Sequence, residues 1–182
     1  MAPPIVFTIG HSRRKIEDFK KILEKYGVQV LVDIRRIPRS RTNPQFNDDA
    51  LSSSLRKSGI KYIHIEGLGG HRRPVPNSVN MGWRNDSFRG YADYMQTDEF
   101  SKFLDELISL ANSDQVAIMC AEAVPWRCHR SLVADALVVR GFRVVDILDE
   151  EHSKDHTLTQ FARVQGTGIT YPSTDAGQTS LI

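Results

Sequence analysis

Cysteine is scarce in this chain, with two in 182 residues. That is too few for a disulfide scaffold. Both fall in one short stretch, at Cys120 and Cys128, which points to site chemistry or packing in a reducing compartment. Long apolar runs are missing too: none approaches the roughly 18 residues that cross a bilayer as a helix, so a membrane partner is not expected. The opening MAPPIVF has neither a basic start nor a cleavable apolar stretch, which predicts a cytoplasmic protein. Internal repeats and a basic low-complexity arm are absent as well. The formal charge of +2 argues against wrapping a long duplex while leaving a local anion contact open. At 40% hydrophobic and 25% charged residues, the composition is that of one soluble domain with a real core.

The elements alternate. Ile5–Gly10 reads as a buried strand, and Ile16, Phe19, Ile22, Leu23 and Tyr26 share one helical face that stops at Gly27. Val28–Ile34 is a β-branched strand, Asp48 is placed to cap a helix through Lys57, and Ile60–Ile65 alternates as a third strand. Residues 66–86 form a long loop rich in Gly, Pro, Asn and Arg, a length that usually means a functional or mobile segment. Helices follow over Ser87–Met95 and after a Thr97 cap, then a strand over Gln115–Cys120, a helix over His129–Arg140 and a strand over Phe142–Leu148. This order predicts an α/β fold: one doubly wound, mostly parallel five-stranded sheet with helices on both faces. It assigns residues 1–148 to the domain and 149–182 to a polar C-terminal tail, partly ordered at best, with one more short element near Thr157–Val164.

The basic residues divide unevenly, 16 Arg against 8 Lys, and the division is positional. The segments that follow the expected carboxyl ends of strands hold 12 of the arginines and none of the lysines. Arginine presents a planar fork of donors that suits oxyanions, and ligands in such sheets bind beyond the strand carboxyl ends. The expectation is an arginine-lined anion cleft there, and a nucleic acid or nucleotide as its phosphate-bearing partner.

Five stretches carry a resemblance. TIGHS at 8–12, VDIRRIPRS at 32–40, GLGG followed by Arg at 67–72, FRGYADYM at 88–95, and MCAE with CHRSLVA between 119 and 134 resemble, in that order, domain-of-unknown-function family 488 (DUF488). The resemblance spans residues 5–148 and implies an architecture and a site around Cys120, Ala121, Glu122, Cys128, His129 and Arg130, but no activity. The layout of VDIR with a later strand, Cys, loop, Arg, Ser and helix is similar to rhodanese-type sulfurtransferases and related phosphatase loops. There a strand-end thiolate sits in a tight ring of amides. Here seven positions separate Cys120 from Arg127 and ten separate it from Arg130, so the compact cradle is not formed in that way.

Arg35, Arg72, Arg89 and Arg130 form the preferred anion-holding set, with Ser12, Arg39 and His129 beside them and Trp83 and Trp126 available to stack on a base. Glu122 and His11 are the proton-transfer candidates, the first read more readily as an arginine partner and the second equally as a local cap. Cys120, ending an apolar strand, reads as a buried thiol. Cys128, just before a helix and among basic residues, reads as a nucleophile or as packing against Trp126. No metal or cofactor is expected, because the Cys and His spacing matches no common zinc pattern and the arginines repel a cation. Two further readings stay open: a cysteine-dependent small-molecule enzyme of phosphoryl or sulfur transfer, and an interaction module for acidic partners.

Overall fold

The computed structural model describes residues 1–174. In chain order the main elements are β1 (Ile5–Gly10), α1 (Ile16–Lys25), β2 (Val30–Asp33), α2 (Asp48–Lys57), β3 (Lys61–His64), α3 (Asp86–Tyr94), α4 (Asp98–Ser113), β4 (Val116–Cys120), α5 (Arg130–Val139) and β5 (Arg143–Ile147). Three short strands follow: β6 (Ser153–Asp155), β7 (Arg163–Gln165) and β8 (Gly168–Thr170). The sheet runs β3-β2-β4-β1-β5-β6; the first five strands are parallel, β6 is antiparallel to β5, and β7 pairs with β8 apart from the sheet. The fold is therefore α/β and mostly parallel, with six strands in place of the expected five. The added strand reads Ser-Lys-Asp and is exposed, so it carries no apolar alternation to announce it.

Strand pleat decides which helix each side chain meets. Val116, Ile118 and Cys120 face one core with α3, α4 and α5, while Ala117 and Met119 face the other with α1 and α2. Each outer helix is amphipathic: Phe100, Leu104, Leu107 and Ala111 form the buried stripe of α4, and the Thr97 hydroxyl accepts from Phe100 N–H at its start. At α2 the cap position is Asn47 rather than Asp48, and the Asn47 side chain accepts from Ser40 N–H instead of closing the helix. Among the described residues no helix is long and apolar enough to cross a membrane.

α5 differs from its neighbours because Arg130 through Leu137 are all buried. The chain after β5 covers its far side. Asp135 on α5 accepts from His156 Nε2 at 2.8 Å, Thr159 N–H at 3.1 Å, the Thr159 hydroxyl at 2.7 Å and the Tyr171 hydroxyl at 2.8 Å. The other His156 nitrogen faces Asp146 at 3.3 Å, and Asp146 also accepts from the Thr8 hydroxyl. The segment assigned from sequence to a tail thus carries β6 to β8 and the fully buried Tyr171, while residues 175–182 lie outside the described residues. The long loop is tied down as well: Asp93 on α3 accepts from Ser78, Asn80 and Val75 N–H, and Asn80 in turn accepts from Tyr171 N–H.

Burial pushes the His156 imidazole down, but Asp135 and Asp146 outweigh it and hold the group up at about 9. A folded pKa above the ordinary 6.5 stabilises the fold fully below pH 6.5, and that stabilisation fades as pH rises through 9. Urea unfolding is expected to show a loss on the order of 3 kcal/mol between pH 6.5 and 9.5. His156→Gln should be destabilised at pH 6.5 and nearly flat across that window; a wild-type profile equally flat would refute the assignment.

Candidate active site

The connection after β1 runs toward β2 and β3, and the connection after β4 runs toward β5 on the other side of β1. Oppositely directed crossovers from adjacent strands leave a crevice at their carboxyl ends, the usual ligand position in open α/β sheets. Gly10 and Cys120 are register partners there, and the ladder continues past the strands through His11 N–H to Cys120 O and Ser12 N–H to Ala121 O. Gly10 is required by the closeness of that approach: a Cβ would lie 1.8 Å from Glu122 O.

A cavity of about 480 Å³ opens at this crevice. Of the residues singled out from sequence, His11, Arg35, Arg39, Glu122, Cys128 and His129 line it, and so do Cys120 and Arg127. Ser12, Arg72, Arg89, Arg130, Trp83 and Trp126 are not among its walls.

The arginines do not converge as a set. Arg35 is nearly buried and clamps both Asp33 oxygens, with a further bond to Phe46 O, while its Nη1 lies 3.3 Å from His11 Nε2. Arg39 is exposed at the rim, 3.5 Å from Asp48. Arg72 turns away to donate to Gly69 O and Gly67 O and to stack 3.7 Å over the Tyr94 ring. Arg89 is paired with Asp86 and donates to Trp83 O. Trp83 packs against Phe88, Phe161 and Tyr171, and Trp126 is exposed beneath Lys154. For Arg72 and Arg89 the departure has a local cause, since a carboxylate or carbonyl within a few residues satisfies the fork before it reaches the crevice.

Arg130 is the exception. It is fully buried, yet among the described residues no carboxylate lies within ion-pair distance of it. Its Nη1 donates to Cys120 Sγ at 3.0 Å and to Glu122 O at 3.1 Å, its Nη2 reaches Ala123 O at 3.5 Å, and its Nε has no hydrogen-bond partner among the described residues. A buried guanidinium without a counter-ion is costly. The nearest group that can supply the negative charge is the Cys120 sulfur. Burial pushes that thiol up, but the hydrogen bond from Cys128 and the charge of Arg130 prevail and bring it to about 7. The partner thiol moves the other way: its hydrogen bond to Cys120, its burial and the Cys120 charge hold Cys128 well above the ordinary range.

Two of the histidines that line the cavity, His11 and His129, are neutral. Burial, aided by nearby arginines, lowers His11 and His129 to about 4 against one backbone hydrogen bond each. Those bonds fix the tautomers, because a carbonyl only accepts. His11 Nδ1–H donates to Ser12 O, so Nε2 accepts from Arg35. His129 Nε2–H donates to Ile34 O, so the Nδ1 lone pair faces Cys128 Sγ at 3.5 Å. Glu122 stands exposed on the cavity wall, and it is its carbonyl that binds Arg130. Among the described residues no group of three or more His, Cys, Asp and Glu side chains is placed to hold a metal ion.

From sequence, Cys120 reads first as a buried thiol and only in the rival reading as the cysteine of a transfer enzyme. The signal that could have found it is strand parity, which puts Cys120 on the same face as Val116 and Ile118, toward α5 and Arg130.

Replacing Arg130 by Met keeps the volume and removes the charge. The Cys120 titration is expected to move from about 7 toward the ordinary thiol value near 8.5, cutting its alkylation rate at pH 7 about tenfold. An unchanged rate profile in a folded Arg130→Met variant would show that the guanidinium does not hold the thiolate.

Compared with known proteins, residues 15–137 match the family model described as Domain of unknown function DUF488. No curated protein and no solved structure matches, and nothing found links the chain to rhodanese-type proteins.

Proposed function

The chain belongs to the DUF488 family, and we propose that it is a cysteine-dependent small-molecule enzyme of sulfur or phosphoryl transfer, with Cys120 as nucleophile. One observation carries this reading: a fully buried guanidinium 3.0 Å from a sulfur on the cavity wall, with no carboxylate in ion-pair range among the described residues. The Cys120 thiolate attacks the electrophilic sulfur or phosphorus. A bond forms from Sγ to the transferred group, and the bond to the leaving group breaks with the electron pair going to that group. Transfer to an acceptor restores the thiolate beside Arg130. Arg39 and Arg127 in the cavity lining favour an anionic substrate.

The thiolate is the reactive form, so reactivity rises with pH as Cys120 deprotonates. Iodoacetamide labelling mapped to Cys120 is expected to increase through pH 6 to 8 with an inflection near 7, and to disappear in Cys120→Ser. An inflection above 8.5, or labelling that is no faster in the folded protein than in the unfolded chain, would remove the reading.

A second reading, a nucleotide or nucleic acid held at the same mouth, is favoured by the exposed guanidinium of Arg39 and by Arg127 beside it. It expects oligonucleotide binding that weakens steeply with salt and is lost in the Arg39→Ala, Arg127→Ala double variant. No shift at low salt with single- or double-stranded probes would exclude it.

A further inference from the structure

With Cys120 as nucleophile, Cys128 has no task, although the fold sets it against the same sulfur. Cys128 is buried two residues ahead of α5 and lines the same cavity. Its sulfur receives Arg130 N–H at 3.4 Å while Arg130 Nη1 reaches Cys120 Sγ at 3.0 Å, so one residue touches both sulfurs, and the Cys128 sulfur lies 3.5 Å from the free lone pair of His129 Nδ1. A thiol buried only for packing needs none of these contacts.

Resting on the proposed role of Cys120, we infer that the substrate is a small anionic disulfide and that Cys128 is the resolving thiol, which closes an internal disulfide with Cys120. In the first step the Cys120 thiolate attacks one sulfur of RS–SR; a Cys120–SR bond forms and RS⁻ departs with the electron pair. In the second step Cys128 loses its proton to solvent in the cavity, and its thiolate attacks Cys120 Sγ. The Cys120–Cys128 bond forms and the second RS⁻ leaves. The substrate disulfide is reduced by two electrons and the cysteine pair is oxidised by two. An external dithiol, oxidised in turn to its own disulfide, restores the pair.

The same geometry hands the negative charge from one sulfur to the other. In the resting pair the hydrogen bond to Cys120 and the Cys120 charge are two of the three causes that keep Cys128 protonated. Capping Cys120 as a mixed disulfide abolishes both. What remains around Cys128 is burial, opposed by the Arg130 guanidinium, which has lost its first counter-ion, and by Arg130 N–H. The second thiolate is therefore favoured only after the first has reacted. Phosphoryl transfer would leave Cys128 idle and would need a ring of N–H donors around the nucleophile, whereas the Glu122 and Ala123 backbone groups facing Arg130 here are carbonyls. Arg39 and Arg127 suit carboxylates on the substrate.

The probe is the disulfide of thionitrobenzoate, mixed with the fully reduced chain near pH 7 and followed by released thiolate and intact mass. Wild type is expected to release two thiolates and to end lighter by two hydrogens, with a Cys120–Cys128 cross-link in the peptide map. Cys128→Ser, and Cys128→Ala if the serine variant misfolds, should release one thiolate and retain one adduct on Cys120. Wild type that stops at one adduct on Cys120, or carries one adduct on each cysteine, overturns the resolving role and leaves Cys120 as nucleophile intact. First labelling on Cys128, or no labelling until the chain is unfolded, overturns the Cys120 reading and this one with it. A neutral dipyridyl disulfide should react about tenfold more slowly relative to its rate with free cysteine; an equal relative rate overturns the anionic substrate class.

Discussion

A positive charge buried on α5, with no carboxylate in ion-pair range among the described residues, is the constraint around which the rest of the crevice is arranged. Placing a guanidinium out of water is tolerable only when its forks are occupied and its charge is met. Two backbone carbonyls from the loop after β4 each take one N–H of Arg130, and the Cys120 sulfur takes a third and meets the charge. The loop can bend back to supply those carbonyls because Gly10 leaves no Cβ in its path. Arg130, Gly10 and Cys120 are therefore one structural unit, though they lie on α5, β1 and β4.

That unit depends on α5 staying dry. A helix buried on every side needs a second cover besides the sheet, and the chain after β5 provides it through Asp135, His156, Thr159 and Tyr171. The same latch reaches β1 through Thr8 and Asp146 and holds the long loop through Asn80. Polar groups at this depth are satisfied by one another, so the cluster specifies a single arrangement instead of a merely compact one. The cavity wall and the C-terminal segment, far apart in the chain, are thus mechanically linked through α5.

Much of the fold was readable in advance, because helix periodicity, strand runs and stop residues are local properties of the chain. Phe19, Ile22 and Leu23 announced α1, and Thr97 announced α4 and caps it. β6 escaped because an exposed three-residue strand at the sheet edge leaves no apolar trace. For the site, the choice of Arg over Lys at strand ends was visible, and so were the motifs holding Cys120, Cys128, His129 and Arg130. Where the forks go was not visible. Arg89 meets Asp86 three residues away and Arg72 folds onto Gly69, so these side chains are used before the crevice is reached, while Arg35 lines the crevice already clamped to Asp33.

Taken by itself, the order of residues determined the alternating elements, the parallel layering and the family motifs, since each is encoded within windows of one or two turns. Only the folded chain decided that Cys120 and Cys128 both touch Arg130 and that, among the described residues, no carboxylate reaches ion-pair distance of it. Charge balance in a dry interior is set by everything that packs around a group, and for Arg130 those neighbours come from other elements. Strand parity, the crossover direction at β1 and β4 and the cover on α5 together brought the sulfur to the guanidinium.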